Sequence, residues 1–131
     1  EIHEAVYDVN SVTRLQLRGY AIAEKLQLYQ EIGVGVLSLN KEELKRFNYQ
    51  KGDTEGLVNV ILSIEGYNVG VFLMETEDGV KMSFRSKGQR FVNAFAQAHF
   101  NGGGHQYAAG GFYEGTLSAA LAKLESLIDQ L

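Results

Sequence analysis

The chain has 131 residues, of which 45% are hydrophobic, and it carries a formal net charge of −4 at pH 7. This length and hydrophobic content are enough for one domain with its own core. The absence of cysteine excludes disulfides and thiolate metal sites, and the negative charge argues against a protein that coats long nucleic acids. Because no apolar run is long enough to span a membrane and no signal peptide opens the chain, we expect a cytoplasmic protein without a membrane partner.

Four elements are predicted in the first half of the chain. The spacing of apolar residues predicts a helix over residues 11–29, with the serine that opens it as N-cap. The run at residues 33–39 predicts a strand, and Asn40 is expected to cap the short helix behind it. The stretch KGDTEGLVNVILSI then predicts a turn followed by a helix, with Asp53 or Thr54 as its cap.

Two β-rich runs, residues 67–75 and 80–86, follow in the middle of the chain. They are joined around Asp78-Gly79, which is a strong hairpin signal. Side chains alternate between the two faces of a strand, so the second run separates into an apolar and a polar face. The face directed to the core carries Val80, Met82 and Phe84, and the other face carries Lys81, Ser83 and Arg85.

The last third of the chain predicts two helices with a strand between them. RFVNAFAQAHF has apolar residues at helical spacing and ends at a glycine run, and residues 111–114 suit a short strand. Residues 117–131 predict an amphipathic closing helix. Helices interspersed with strands, with a hairpin near residues 67–86, indicate a single α/β domain whose mixed sheet is flanked by helices.

Acidic residues are unevenly distributed along the chain. The segment from Gly79 to Tyr113 contains no Asp or Glu but holds four Lys and Arg residues. One acid-free segment in an acidic protein indicates a local anionic ligand; the alternative is a chance cluster of solvated lysines and arginines. The four bases are Lys81, Arg85, Lys87 and Arg90.

A run of three glycines inside that segment directly precedes a histidine. Gly102–Gly104 can adopt positive φ and place successive N–H groups around an anion. Residues 105–109 could begin a helical turn that adds further donors, and His105 would donate to a phosphate oxygen at the mouth of the loop. The alternative is a helix C-cap with a tight turn that leaves His105 on the surface.

The polar face of the second β-run favours the phosphate-binding interpretation. Arg85 and Ser83 offer a guanidinium fork and a hydroxyl on one face of a strand, and Ser86 continues into the loop. A guanidinium in that position suits bidentate recognition of a phosphate.

The sequence does not support a catalytic or metal site within this chain. His99 and His105 are separated by the glycine run and have no carboxylate nearby, and we interpret His99 as a buried or capping residue. No serine occupies a nucleophile elbow, and the scattered carboxylates do not indicate a two-metal centre. We therefore expect a chain that binds a ligand, with no catalytic residue and no cofactor of its own.

Three stretches, in this order and spacing, resemble a known family. They are GDTEGLVN at residues 52–59, SFRSKG at 83–88 and VNAFAQAHFNGGGHQYAAGG at 92–111. The sequence resembles the C-terminal DHH-associated domain of the RecJ-like, DHH-family phosphoesterases. It is most similar to the branch of short-oligoribonucleotide exonucleases that also remove phosphate from 3′-phosphoadenosine 5′-phosphate.

The resemblance implies that substrate binding and hydrolysis are divided between two domains. The associated domain is an α/β unit that holds short RNA or a nucleotide phosphate, whereas an N-terminal DHH domain binds Mn²⁺ and performs the hydrolysis. This sequence has no DHH triplet and begins with glutamate rather than methionine. We therefore expect residues 1–30 to connect to such a catalytic domain, residues 31–131 to be the associated domain, and this chain alone to be inactive.

The resemblance also implies roles for individual residues. Arg85 and Ser83, with Ser86 beside them, would contact a substrate phosphate. The rest of the pocket would be Gly103, Gly104 and His105, with Glu55 and Asn59 facing the substrate or the domain interface.

Two other interpretations stay open at this level. Related domains occur in enzymes that act on cyclic dinucleotides or on single-stranded DNA. A different class is a non-catalytic domain in which the glycine run only packs and the chain mediates interactions such as homodimerisation.

Overall fold

The computed structural model describes residues 11–131, which fold into six strands and five α-helices. The strands are β1 (Gln27–Tyr29), β2 (Val34–Leu39), β3 (Val69–Glu75), β4 (Val80–Ser86), β5 (Gly103–His105) and β6 (Ala108–Tyr113). The helices are α1 (Val12–Tyr20), α2 (Lys41–Arg46), α3 (Asn59–Leu62), α4 (Asn93–His99) and α5 (Leu117–Leu127). A π-helical turn, Ala21–Lys25, extends α1, and a 3₁₀ turn, Ile128–Gln130, follows α5.

The six strands form one mixed sheet in the order β1-β2-β3-β4-β6-β5. The pair β2 and β3 is parallel, and the other neighbouring strands are antiparallel. The predicted hairpin is present as β3 and β4, with Val69 paired to Ser86 and Glu75 to Val80. The predicted α/β domain with a mixed sheet is therefore confirmed. The first ten residues of the predicted connecting segment, 1–30, lie outside the described part of the chain.

Two hydrophobic clusters lie on opposite faces of the sheet, because successive side chains of a strand point to opposite sides. The larger cluster packs β2, β3, β4 and β6 against α4 and α5, and includes the fully buried Phe84. The smaller cluster packs β2 and β3 against the first three helices through residues such as Leu17, Leu37 and Ile61. Its buried members end at β3, so the same face of β4, β6 and β5 lies outside both clusters.

The predicted helix over residues 11–29 is too long. It begins as expected, with the Ser11 hydroxyl accepting the Arg14 N–H at 3.0 Å. The helical segment ends at Lys25, and residues 27–29 instead form edge strand β1, which pairs with β2. The apolar spacing typical of a helix continues to Tyr29, but residues 27–29 pair with β2, which follows them in sequence. This tertiary pairing therefore overrides the local helical pattern.

The predicted caps are right for one helix and wrong for the next. Asn40 accepts the Glu43 N–H and the Glu43 carboxylate accepts the Asn40 N–H, which forms a complete capping box on α2. Asp53 and Thr54 do not cap α3, which begins only at Asn59. The Asp53 carboxylate instead accepts the Gln50 N–H at 2.9 Å and so closes a turn.

Glu43 is the polar centre of the helical layer, although it is a buried carboxylate. Lys25 donates to both of its oxygens at 2.9 and 2.8 Å, and the Tyr20 hydroxyl donates to Oε2. Burial raises the pKa of Glu43, but the hydrogen bonds from Lys25, Tyr20 and the Asn40 N–H outweigh it and leave the pKa below its usual value. The carboxylate therefore joins α1, its π-helical extension and α2 around one negative charge.

We expect Glu43→Gln to lower the free energy of unfolding by about 1–3 kcal/mol near neutral pH, because the charged hydrogen bonds to Lys25 are lost. Since the folded-state pKa is lowered, the ionised group stabilises the fold above its unfolded-state pKa of about 4.3. That contribution is lost as the pH falls through the folded-state pKa. Urea unfolding at several pH values measures the difference, with the exposed Glu42→Gln as the matched control. An equal effect of both variants, or a Glu43→Gln effect that does not shrink in acid, would contradict the assignment.

Candidate functional site

The face of β4, β6 and β5 that neither cluster covers carries four of the eight predicted site residues, Ser83, Arg85, Gly103 and His105. Strand β4 alternates as expected, with residues 80, 82 and 84 buried in the larger cluster. Residues 81, 83 and 85 therefore point to the other side of the sheet. Burial of the apolar residues thus determines which way Arg85 and Ser83 face.

Strand pairing extends this face onto β6 and β5, because directly opposite residues of antiparallel strands point to the same side. Arg85 pairs with Ala108 and Ala108 with His105, so these three residues form one row across the sheet. The two rows beside it are Ser83–Gly110–Gly103 and Lys81–Phe112. We call these three rows the open face.

Arg85 and His105 are close enough to act on one small anion. They lie two strands apart, which places their Cα atoms about 10 Å from each other. The Arg85 Nη1 donates to the carbonyl of Phe84 at 2.9 Å. A guanidinium has five N–H donors, and its other donors have no acceptor within residues 11–131. The His105 side chain is exposed on the same face, so both groups are available to a ligand.

The glycine run is part of a strand pair, not a loop that leads into a helical turn. Residues 103–105 and 108–110 pair as β5 and β6, so the predicted helical turn at 105–109 is wrong. The turn between them is held by hydrogen bonds from the Ser86 N–H to the Tyr107 carbonyl and from the Val92 N–H to the Gln106 carbonyl. Asn101, with a φ of +53°, ends the helical segment before the run. The alternative of a helix end and a tight turn, with His105 exposed, is therefore nearer to the observed structure.

The three glycines differ in what surrounds them. A Cβ atom at Gly102 would lie 1.8 Å from the carbonyl oxygen of Gly110. Gly104 has a φ of +145°, and its Cβ would lie 2.6 Å from the Ala108 carbonyl oxygen. Gly103 has no atom within 4 Å of its Cβ position. The first and third glycines allow β5 to approach β6, whereas the middle one leaves bare backbone on the open face.

A cleft with a volume of about 290 Å³ lies beside the open face, under the loop of residues 49–58. Glu55 lines it together with Ser83 and Arg85, so three predicted site residues share this cleft. Its other lining side chains are Tyr49, Lys51, Thr54, Val58, Phe72, Met74 and Lys81. The cleft thus has an apolar floor with cations and one carboxylate around it.

Three other predicted residues lie outside this arrangement. Ser86 is on the core side of β4, where it is buried and its hydroxyl donates to the Gln106 carbonyl at 3.4 Å. Gly104 pairs with Ala109, a member of the larger cluster, and so also belongs to the core side. Asn59 is exposed at the start of α3 and does not line the cleft.

Two arginines of α1, which the sequence did not indicate, hold the cleft loop from behind. The Arg14 Nη1 donates to the Gly52 carbonyl at 2.6 Å. The Arg18 Nη1 donates to the carbonyls of Asp53 and Glu55 at 3.1 and 3.0 Å. Burial lowers the pKa of Arg18 and the charge of Arg14 lowers it further, while Asp53 opposes both. The only sequence signal is their spacing of four, which places both on one face of a helix.

Two of the four bases in the acid-free segment serve the fold. Arg90 donates to the carbonyls of Ile32 and Leu131, both at 2.8 Å, and Lys87 donates to the Leu62 carbonyl at 2.6 Å. The other two, Lys81 and Arg85, lie on the open face. The predicted anion-binding charge is therefore concentrated on β4.

Within residues 11–131 no group of three or more His, Asp or Glu side chains is placed to hold a metal ion. His99 is half-buried at the end of α4, where its Nε2 lies 3.0 Å from the Gln130 side-chain oxygen. The same part of the chain has no helix that is long and apolar enough to cross a membrane.

Comparison with known proteins identifies relatives for nearly the whole chain. The DHHA1 domain family matches residues 22–130. The bifunctional oligoribonuclease and PAP phosphatase NrnA of Bacillus subtilis is 30% identical over 110 residues, which cover 84% of this chain and 34% of that protein. The enzyme of the same name from Thermus thermophilus is 41% identical over 63 residues, or 48% of this chain and 19% of that protein. The chain thus spans about a third, or less, of the length of these relatives.

Solved structures show the same fold. An exopolyphosphatase-related protein from Bacteroides fragilis matches with a TM-score of 0.92 and 39% identity, over 98% of this chain and 38% of that chain. The pGpG-specific phosphodiesterase PggH from Vibrio cholerae matches with a TM-score of 0.61 and 16% identity, over 89% of this chain and 38% of that chain. At that identity the second match concerns the fold alone.

We expect alanine substitutions in the glycine run to have unequal effects on stability. Gly102→Ala forces a Cβ atom into the Gly110 carbonyl and should lower the free energy of unfolding by about 1–3 kcal/mol or more. Gly103→Ala meets no atom and should change it by no more than about 0.5 kcal/mol. Thermal and urea unfolding of both variants provide the comparison. Equal losses would show that β5 does not pair with β6 in this register.

Proposed function

The chain belongs to the DHHA1 domain family, and from this premise we propose that its open face binds the phosphate groups of a short oligoribonucleotide or of 3′-phosphoadenosine 5′-phosphate. It is then the substrate-holding part of a phosphoesterase, paired with an N-terminal DHH domain. The relatives named as oligoribonuclease and PAP phosphatase support this choice of substrate class.

One observation carries the proposal: strand pairing places Arg85, Ser83 and His105 on the same uncovered face, beside a cleft. A guanidinium, a hydroxyl and an imidazole can all donate to phosphate oxygens. In the row that joins Arg85 to His105, the only residue between them is Ala108, and the next row contains Gly110 and Gly103. These small residues let a phosphate and its ribose approach the sheet closely.

The donors act by positioning the ligand rather than by breaking a bond. The described residues do not fit a Mn²⁺ site, and we propose that the metal belongs to the N-terminal DHH domain. Arg85 holds a terminal phosphate bidentately, Ser83 and His105 limit its rotation, and the cleft beside them receives the rest of the nucleotide. A ligand that this face already holds at several points loses little further translational and rotational entropy when the catalytic domain also binds it.

We expect Arg85→Ala to weaken binding of a 5′-phosphorylated diribonucleotide by at least about tenfold, because hydrogen bonds to a charged group are worth roughly 1.5–3 kcal/mol. Arg85→Lys keeps the positive charge but loses the forked guanidinium donors, so its affinity should lie between those of the unaltered chain and Arg85→Ala. Calorimetry or backbone amide shifts of this chain measure the affinity. Lys45→Ala, which removes an exposed cation on α2, is the matched control. Unchanged affinity in Arg85→Ala would favour a domain that only mediates protein interactions.

We expect Gly103→Ala to weaken binding of the same ligand without loss of stability. The added methyl group projects onto the open face, where it meets no protein atom but occupies the space of an approaching phosphate or ribose. The amide shifts of β5 and β6 on titration show whether the ligand reaches this row. Full affinity in this variant would mean that the ligand stays over β4.

A further inference from the structure

Lys81 and Phe112 make up the third row of the open face. Lys81 also lines the cleft, but neither residue belongs to the group of donors around the first phosphate. They pair directly across β4 and β6, so both side chains lie on the side of Arg85 and Ser83. Lys81 is exposed and has no ion pair or hydrogen-bond acceptor within residues 11–131. Phe112 is half-buried, and its ring lies close to the Gly79 backbone. A cation that is unpaired within the described residues therefore lies beside a half-buried aromatic residue on the open face.

The distance along β4 separates this row from the first phosphate. Lys81 and Arg85 are four residues apart on one strand, which corresponds to about 13 Å between their Cα atoms. One phosphate held by Arg85 and His105 therefore cannot also contact Lys81 at full strength. A second nucleotide, linked through a phosphodiester to the first, covers that distance.

A cation next to an aromatic ring is the combination by which proteins bind single strands. Bases stack on aromatic side chains whatever their sequence, and lysines neutralise the phosphates between them. Ser83 lies midway between Arg85 and Lys81 on the same face. The three side chains thus form a continuous line of hydrogen-bond donors along β4, with Phe112 beside its far end.

Acidic residues lie just beyond that end. The turn between β3 and β4 contains Glu77 and Asp78, and Glu114 directly follows β6. Because Val80 pairs with Tyr113, all three acids lie at the same end of the sheet. A strand that continues farther past Lys81 would meet like charge, which disfavours chains longer than two or three nucleotides.

We propose that Lys81 and Phe112 form a second nucleotide subsite, in which Phe112 stacks on the base and Lys81 contacts the linking phosphate. This inference rests on the proposed function, since it extends the same face by one nucleotide. It makes the open face selective for ligands of two or three nucleotides over a mononucleotide, with no further gain for longer chains.

The test compares ligands of increasing length on this chain: adenosine 5′-monophosphate and 5′-phosphorylated di-, tri- and hexa-adenylate. Backbone amide shifts follow the titrations into the millimolar range. The unaltered chain should bind the di- and trinucleotide more tightly than the monophosphate, and the hexanucleotide no more tightly than the trinucleotide.

Two variants isolate the subsite. Lys81→Ala should weaken binding of the trinucleotide by about three- to fivefold and reduce its salt-dependence slope by about 0.7. Phe112→Leu keeps an apolar side chain near Gly79 and should weaken the same ligand by about fivefold or more, because stacking is lost. Phe112→Leu should not change the affinity for the monophosphate, and Lys45→Ala should change neither ligand. Because Lys81 also lines the cleft, Lys81→Ala should reduce the gain in affinity from the monophosphate to the trinucleotide, whatever its effect on the monophosphate itself.

The outcomes separate the two proposals. One outcome is that Arg85→Ala weakens binding of every ligand, while Lys81→Ala and Phe112→Leu gain as much affinity from monophosphate to trinucleotide as the unaltered chain. The second subsite is then wrong and the proposed phosphate-binding face is retained. If Arg85→Ala weakens none of them, or the unaltered chain binds no ligand, both proposals are wrong. A hexanucleotide that binds more tightly than the trinucleotide would overturn the length limit.

Discussion

The structure depends on the alternation of side chains along β4. Three of its residues, Val80, Met82 and Phe84, are fully or almost fully buried in the larger cluster. A slip of one residue would place all three in water, at a cost of roughly 1.5–3 kcal/mol for each side chain. The polar residues between them make few contacts of their own. Arg85 and Ser83 therefore face outward because the apolar residues face inward, and the candidate site depends on the core.

The two faces of the sheet differ because large apolar residues are unevenly divided between its halves. On the face of the smaller cluster, β2 and β3 present Leu37, Leu39 and Phe72, which helices cover. Gly35 and Gly70 leave room there for Ile61, whose side chain would lie 2.6 and 3.1 Å from a Cβ atom at those positions. The same face of β4, β6 and β5 carries mainly polar side chains, alanine and glycine. No helix can gain much by covering it, so it stays open to a ligand.

The sequence predicted what is local and missed what depends on distant pairing. The hairpin of β3 and β4, the faces of β4 and the Asn40 cap were all predictable, because a turn, a period of two and a capping box each lie within a few residues. The predicted helical turn after the glycine run is wrong, because glycine suits a loop before a helix and a closely packed strand equally well. Arg14 and Arg18 were missed because their acceptors are main-chain carbonyls 35 to 38 residues away. Because every residue has a main-chain carbonyl, no pattern of residue types indicates which carbonyl an arginine will contact.

Those two arginines also bear on how an acidic protein can bind an anion. Their charges are satisfied by the carbonyls of the cleft loop, which fixes the wall of the cleft before any ligand arrives. On the open face, Lys81 and Arg85 have no carboxylate directly beside them on β4 or β6. Charges farther away than about 8–10 Å are largely screened at physiological salt. In the cleft beside the open face, the cations Lys51, Lys81 and Arg85 face one carboxylate, that of Glu55, so the local charge is positive although the chain as a whole carries a net charge of −4. A ligand with few phosphates experiences that local field, whereas a long polyanion would extend over the acidic surface around it.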